Sequence, residues 1–230
     1  MNEKSWLAFG AHADDVEIGM GAVIKKETKR GRNVIICDLT EAELSSNGTV
    51  PIRKKEAKDA AALLGVTNRY NLQLPDRGLY MRDDHILKLI SVIRKVRPEY
   101  VFAPYWVDRH PDHGNCAQLV KEAVFSSGIK NMKDPEDLPA HKVKNIFYYL
   151  INSTEKPELF VDVTESYSYK LKALQAYPSQ FIKTADSVDT PLTNGYIERV
   201  EARDKLFGFE AGVSYAEGFI TERTYVTNNL

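Results

Sequence analysis

The sequence predicts an α/β protein with an open, doubly wound and mostly parallel sheet, a Rossmann-like fold with helices on both faces. Short apolar runs alternate with segments of helical character over the first 128 residues, and this alternation is typical of helices wound around a parallel sheet. In the first, second and fourth of these runs, apolar residues do not alternate with polar ones, which indicates strands that are buried on both faces.

The elements of this core follow one another as strand and helix. Gly31 and Gly65 follow the first two predicted helices, and Pro98 follows the third, as is typical of helix ends. The predicted strands are residues 6–9, 33–39, 70–74 and 100–103, and the predicted helices are residues 16–30, 52–64, 85–96 and 113–125.

The character of the chain changes after Gly128. A polar, proline-containing loop spans residues 130–142. We interpret residues 129–230 as an extension that closes over one edge of the sheet, so that residues 1–230 form a single domain around a core of residues 1–128. Strands are predicted at residues 146–151, 159–163 and near 218–220, and helices at residues 167–176 and 196–207.

Composition and charge exclude several classes of protein. Charged residues make up 27% and hydrophobic residues 43% of the chain, with a net charge of -1, so we expect neither disorder nor a nucleic-acid partner. The first residues lack the basic flank and long apolar stretch of a signal peptide, and no apolar run reaches membrane-spanning length. Two cysteines without a paired framework fit a reducing compartment. We therefore expect a cytoplasmic protein.

Two short clusters of histidine and aspartate follow the first and the fourth predicted strands. Residues 12–15 are His-Ala-Asp-Asp, and residues 108–113 are Asp-Arg-His-Pro-Asp-His. Because the carboxyl ends of parallel strands form the edge where ligands bind, the two clusters can meet at one point. Two imidazoles and one carboxylate suit zinc and leave one coordination position open for water. The sequence therefore predicts a catalytic metal site.

Neighbouring residues within each cluster are expected to differ in role. Asp14 and Asp15 leave the backbone in different directions, so one can ligate the ion while the other takes a proton from the bound water. His110 and His113 divide similarly, because one can ligate while the other faces the substrate as an acid or oxyanion stabiliser, oriented by Asp112. The structural alternative is that the aspartates only cap helices.

Three further features are weaker candidates. Arg53, which begins a helix after a glycine-containing loop, can reach an anionic or hydroxyl-rich substrate, although an arginine there is more often solvated. Cys116 lies one turn beyond His113 and fits a packed helix cysteine. Residues 19–21 (Gly-Met-Gly) lack the third glycine of a dinucleotide-binding loop.

The segments AHADD and DRHPDH resemble the two signatures of the PIG-L or LmbE-like family of zinc-dependent N-acetylglucosaminyl deacetylases, with Ala13 in place of the usual proline. This resemblance implies one zinc ion per chain, or another divalent ion such as Fe²⁺. It also implies a role for each residue of the two clusters. His12, Asp15 and His113 would be the metal ligands, Asp14 the general base, His110 the acid, and Asp112 the residue that orients His110.

The resemblance extends to the substrate, an N-acetylated sugar. Arg53 matches a substrate-contacting arginine of the family, and Gln180 and Tyr196 lie in segments similar to those that reach the pocket. Residues 37–49, 75–81 and 102–115 most resemble bacillithiol-biosynthesis deacetylases, which act on N-acetylglucosaminyl-malate. The alternative is a general deacetylase of N-acetylglucosamine and chitin oligomers. Such relatives form hexamers, which implies a homohexamer.

Two other functions remain open at this stage. Non-haem iron oxygenases also use two histidines and one carboxylate, but the neighbouring Asp14 is a base that hydrolysis needs and oxidation does not. A sugar-binding or metal-storage module without turnover is the second alternative. Metal analysis together with an acetate-release assay separates the three functions.

Overall fold

The computed structural model describes residues 5–223; the expectation about the start of the chain rests partly on residues 1–4, which lie outside this range. The strands are β1 (Trp6–Gly10), β2 (Val34–Thr40), β3 (Asn68–Leu74), β4 (Tyr100–Pro104), β5 (Asn145–Tyr149), β6 (Leu159–Asp162) and β7 (Ala216–Ile220). The helices are α1 (Asp15–Lys29), α2 (Val50–Leu64), α3 (Asp83–Val96), α4 (Pro111–Ser127), α5 (Tyr167–Gln175), α6 (Pro178–Phe181) and α7 (Tyr196–Ala211).

All seven strands form one sheet in the order β3-β2-β1-β4-β5-β7-β6. Strands β1 to β5 are parallel, whereas β7 pairs antiparallel with both β5 and β6. The chain leaves β1 toward β2 and reaches β4 on the other side of β1, so a crevice opens outside the carboxyl ends of these neighbouring strands. The predicted doubly wound, mostly parallel fold is confirmed.

Each face of the sheet packs against its own hydrophobic core. Helices α1, α2 and α5 supply Val16, Ala60 and Leu174 to one core, and α3 and α4 supply Leu89 and Val120 to the other. All seven residues of β2 are buried, as its mostly apolar sequence predicts. Within residues 5–223, no helix has the length and apolarity needed to cross a membrane.

The ends of α2 show why its sequence folds locally as predicted. The Thr49 side chain accepts a hydrogen bond from the Ile52 N–H, and Pro51 lies in the first turn, where its missing N–H does no harm. Gly65 ends the helix at φ 80°, a left-handed value that glycine adopts without steric cost. This helix carries Arg53 at its start and therefore places that side chain near the crevice.

Arg94 holds the polar loop that follows α4. It pairs with Asp134 at 2.8 Å, and both side chains are almost completely buried. The guanidinium also donates to four backbone carbonyl oxygens of this region, those of Ser127, Ile129, Met132 and Leu138. One buried cation thereby provides hydrogen-bond donors to backbone carbonyl groups of a loop that has little secondary structure of its own.

Replacing Arg94 by Met is expected to lower the free energy of unfolding by about 3–5 kcal/mol, because Asp134 would remain buried without its partner. Urea denaturation measures this loss. Lys133→Met is the control, since it removes an exposed ion pair with Asp137 in the same loop, and exposed pairs contribute little. Equal losses in the two variants would contradict the organising role of Arg94.

Candidate metal centre and active site

The two clusters meet in the crevice outside β1 and β4. The loop after β1 carries His12, Asp14 and Asp15, and the start of α4 carries His110 and His113. All five line one cavity of about 340 Å³. Other predicted residues line the same cavity, namely Arg53, Gln180 and Tyr196. The extension after residue 128 therefore closes over the site, as predicted.

Asp15 lies between two imidazoles. Its Oδ1 is 3.1 Å from His113 Nε2, and its Oδ2 is 3.6 Å from His12 Nδ1. Two ligands of one tetrahedral zinc ion at about 2.1 Å lie roughly 3.4 Å apart. The spacing of these three side chains, all buried, therefore fits a divalent ion.

Carboxylates also occupy the far sides of both imidazoles. His12 Nε2 lies 3.3 Å from Asp76 Oδ1 and 3.5 Å from Asp112 Oδ2, and His113 Nδ1 lies 3.0 Å from Asp108 Oδ1. Such partners fix the orientation of a ligating histidine and raise its basicity. They therefore support Nδ1 of His12 and Nε2 of His113 as the nitrogens that face a metal ion.

Protons and a metal ion compete for the two imidazoles of this group. Burial opposes protonation of both imidazoles, but the nearby carboxylates raise the pKa of His113 to about 9 and that of His12 well above its ordinary value. Burial likewise disfavours the charged form of Asp15, yet the two histidines hold the pKa of its carboxyl well below the usual range. The site thus concentrates negative charge around two positions that protons or a cation can fill.

Zinc binding at pH 7 is expected to release about two protons per site, because His12 and His113 must lose the protons that they hold without metal. For the same reason, apparent zinc affinity should fall as the pH falls. Calorimetric titrations in buffers with different ionisation enthalpies measure the number of protons released. Binding without proton release would show that these two imidazoles are not the ligands.

Other side chains offer alternative ligand groups. Nitrogens of His12, His110 and His113 lie within 4.8 Å of one another, and so do ligand atoms of His12, Asp76 and Asp112. Geometry alone therefore allows more than one set of three ligands. The set with Asp15 remains our prediction because Asp15 contacts both histidines.

Asp14 has an unusual backbone and a distinct partner. Its φ of 110° lies in a region that side chains rarely adopt, and its carboxylate does not cap α1. Arg53 Nη2 donates to Asp14 Oδ2 at 3.2 Å and also to the Ala13 carbonyl oxygen. Burial raises the pKa of Asp14 to about 7, against the opposing charge of Arg53. Asp14 is therefore a buried acid beside Arg53, and its role as the proton acceptor stays a prediction.

His110 faces the same cavity from α4. Its Nδ1 accepts a hydrogen bond from the Asp112 N–H at 3.3 Å, so in the neutral ring Nε2 carries the proton. Its ring stacks on His113 with centroids 4.9 Å apart. Burial and the charges of His113 and His12 lower the pKa of His110. His110 is thus a neutral hydrogen-bond donor at the cavity wall.

The structure corrects the predicted contact of Asp112. Its carboxylate does not orient His110; it accepts hydrogen bonds from the Arg77 backbone N–H and side chain and lies beside His12. Only its backbone N–H contacts His110. Since helix geometry turns the Asp112 side chain away from the residue two positions before it, the two side chains do not face each other. The N-cap of α4 is His110 itself.

The polar groups of Gln180 hold the cavity wall together. Its Nε2 donates to the Asn47 carbonyl oxygen at 2.8 Å, and its Oε1 accepts from Ser45 Oγ at 3.3 Å. Asn47 in turn pairs with Val188 through both atoms of its side-chain amide. A substrate contact of Gln180 stays a prediction, but its hydrogen bonds join two loops of the wall.

Tyr196 and three arginines complete the cavity. The Tyr196 hydroxyl donates to Asn152 Oδ1 at 2.9 Å. Arg53 is buried, and its Nη2 donates to Asp14 in the loop after β1. Arg77 pairs with Asp112. Arg109 is exposed and has no carboxylate within ion-pair distance in the described part of the chain. It is therefore the arginine most available to an anionic group of a ligand.

Sequence analysis assigned no role to Asp76, Asp108 or Asn152. Asn152 donates to both Asp108 oxygens and so fixes the carboxylate that contacts His113. All three residues follow strands at the same edge of the sheet as the two clusters. Asp76 and Asn152 follow β3 and β5, so the edge rule predicts them once it is applied to these strands as well, whereas Asp108 lies in the second cluster itself.

Comparisons with known proteins agree with this geometry. Residues 7–124 match the PIG-L family, described as GlcNAc-PI de-N-acetylase. The chain is 31% identical to diacetylchitobiose deacetylase of Thermococcus kodakarensis over 94% of its length and 82% of that protein. It is 27% identical to a probable N-acetyl-α-D-glucosaminyl L-malate deacetylase 2 of Bacillus cereus, over 77% and 84%. The crystal structure of the conserved protein TT1542 from Thermus thermophilus superposes with a TM-score of 0.88, at 32% identity and 98% coverage of both chains.

Proposed function

The chain belongs to the PIG-L family of de-N-acetylases, and from this premise we propose that it hydrolyses the N-acetyl group of a small N-acetylglucosamine-containing sugar with one zinc ion per chain. Both named relatives are deacetylases, which favours hydrolysis over the oxygenase and storage alternatives. The observation that carries the proposal is the separation of a buried acid, Asp14, from the neighbouring His12, Asp15 and His113 group.

The residues of the site divide the reaction between them. His12, Asp15 and His113 would hold the zinc ion, which, when bound, acidifies water and polarises the amide carbonyl. Asp14 takes a proton from the attacking water, while the charge of Arg53 favours its ionised form. The water oxygen forms a bond to the acetyl carbon, and the carbon–nitrogen bond then breaks.

His110 acts on the opposite side of the reacting group. Its Nε2–H can donate a hydrogen bond to the negative oxygen that develops from the carbonyl. The leaving nitrogen receives the proton that Asp14 took from the water. The products are acetate and the free amine of the sugar. Metal analysis with an assay for released acetate tests this function on the wild-type protein. Release of acetate that stops on chelation and returns with zinc supports it, and metal binding without acetate release would contradict it.

For the substrate, we propose N-acetylglucosaminyl-malate, as in bacillithiol biosynthesis. Support comes from the similarity to the malate deacetylase and from the exposed, unpaired Arg109 at the cavity. The alternative is a chitin oligomer, favoured by the greater identity to the diacetylchitobiose deacetylase. In this alternative the aglycone is neutral and Arg109 contributes no ion pair.

Arg109→Ala is expected to reduce kcat/KM on N-acetylglucosaminyl-malate about tenfold to a hundredfold relative to diacetylchitobiose, because a charge-assisted hydrogen bond contributes about 1.5–3 kcal/mol. Arg53→Lys is the comparison. This substitution alters the partner of Asp14 and should lower kcat/KM on both substrates to the same extent. Side-by-side kinetics decide the matter. A wild-type enzyme that prefers diacetylchitobiose, with no change of preference in Arg109→Ala, would sink the malate proposal alone.

We also retain a homohexamer in the cytoplasm as a proposal. It rests on the family resemblance and on the sequence features described above. Analytical ultracentrifugation of the purified protein tests the assembly, and sedimentation as a monomer would exclude it. Fractionation of the source cells tests the compartment.

A further inference from the structure

Helix α1 is broken one turn after the two adjacent aspartates of the site. Met20 has φ −148° and ψ 22°, which are not helical values, so two helical segments meet there. Gly19, the residue before the break, lies against Tyr149, since a Cβ atom at this position would lie 2.0 Å from the ring of Tyr149. The first segment begins at the site and can therefore take a direction of its own.

Two charged side chains, the buried Glu217 and the partly buried Arg203, satisfy the ends of this break. Glu217 accepts hydrogen bonds from the backbone N–H groups of Ala22 at 3.1 Å and Val23 at 2.6 Å, where the second segment begins. Arg203 Nη2 donates to the Ile18 carbonyl oxygen at 3.0 Å, in the first segment. Helix ends need such partners because their backbone groups lack intrahelical ones.

These side chains belong to a neutral network of four charges, which we name the α1 clamp: Lys170, Arg203, Asp204 and Glu217. Lys170 Nζ lies 2.6 Å from Asp204 Oδ2 and 2.7 Å from Glu217 Oε1, and Arg203 Nε lies 2.9 Å from Asp204 Oδ1. The Lys170, Asp204 and Glu217 side chains are fully buried. Apolar residues of similar volume often stabilise a fold as well as buried charges do, so stability alone does not explain the network.

The clamp also reaches the other side of the site. Arg203 Nη1 donates to the carbonyl oxygens of Leu150 at 2.9 Å and Ile151 at 3.0 Å. The next residue is Asn152, which donates to both oxygens of Asp108, the carboxylate beside His113. A single guanidinium therefore contacts the backbone of the first segment of α1 and of the segment that leads to Asn152.

We propose that the α1 clamp positions the first segment of α1, and with it Asp14 and Asp15, relative to the His113 side of the site. The catalytic consequence rests on the proposed function, whereas the consequences for metal affinity and backbone protection do not. A misplacement of about 1 Å can reduce a rate about 100-fold. Small changes in the clamp should therefore act on the chemistry more strongly than on substrate binding.

Glu217→Gln and Arg203→Lys test this proposal with little change of volume. Both variants should lower kcat about 10- to 100-fold at saturating zinc, with KM within about twofold of wild type. Zinc affinity, measured by competition with a chelator, should fall at least about tenfold. In the metal-free protein, amides of residues 11–20 should exchange with deuterium faster. If Glu217→Gln does not fold, Arg203→Lys carries the test.

Asp134→Asn is the matched control, because it alters a buried ion pair on the opposite face of the sheet. It should lose stability but keep wild-type kcat, zinc affinity and exchange at residues 11–20. Clamp variants that only lose stability, as the control does, would overturn the proposal. A wild-type protein without acetate release would refute the proposed function, while zinc affinity and exchange would still test the clamp.

Discussion

Asp14→Asn is expected to retain zinc at wild-type stoichiometry and to lose about 10² to 10⁴ in kcat, the usual contribution of a general base. The amide has the size of the carboxylate but cannot take a proton from water. The substitution also removes the negative charge of Asp14, whose Oδ2 lies 3.2 Å from Arg53 Nη2. Zinc analysis of the purified variant and acetate-release kinetics measure the two effects separately.

Asp15→Asn is the control for this substitution, since it changes the neighbouring carboxylate in the same way. We expect this variant to lose zinc affinity first and activity as a consequence, because Asp15 contacts both His12 and His113. Added zinc should then restore part of its activity but none of that lost in Asp14→Asn. If Asp14→Asn kept near-normal turnover, another group would be the base.

His113→Ala is expected to weaken zinc binding by more than about 100-fold, the upper range for residues that only support a ligand. The substitution removes the nitrogen 3.1 Å from Asp15 and leaves Asp108 without its imidazole partner. Activity should fall with zinc occupancy. Titration against a chelator of known affinity measures the change.

Two variants of α4 serve as comparisons for His113→Ala. Gln118→Ala lies on the exposed side of the same helix and should keep metal and activity. His110→Ala should keep the metal and lower kcat, because we place His110 outside the ligand group. Full zinc affinity in His113→Ala would refute the ligand assignment, and loss of zinc in His110→Ala would favour the group of three histidines.

Periodicity and turn residues predicted nearly all of the fold, and the exceptions have physical causes. Helix α6 has four residues, which is too short to show a helical repeat. The antiparallel direction of β7 could not be predicted, because an apolar run contains no information about its partner. The break in α1 is contacted by Tyr149 and Glu217, which are distant in sequence, whereas the local pattern predicts one continuous helix.

The site could be predicted as far as strand ends determine it. Both clusters lie in one cavity because β1 and β4 are neighbours in the sheet. The direction of each side chain could not be predicted in this way, because it depends on how other helices, strands and loops pack against it. For this reason the sequence did not predict that the Asp112 carboxylate contacts Arg77 while its backbone N–H contacts His110, nor that Arg53 pairs with Asp14.

The left-handed backbone of Asp14 has a consequence for how this protein can be changed. A residue other than glycine at a φ of 110° costs about 1–3 kcal/mol, so the backbone is strained at the residue that we propose as the base. Glycine at position 14 would relieve that strain, but it would also leave the buried Arg53 without its carboxylate partner, which costs at least as much. A library screened for heat resistance alone would therefore not favour glycine here, and the strained aspartate would be kept by its ion pair as well as by its proposed role in turnover.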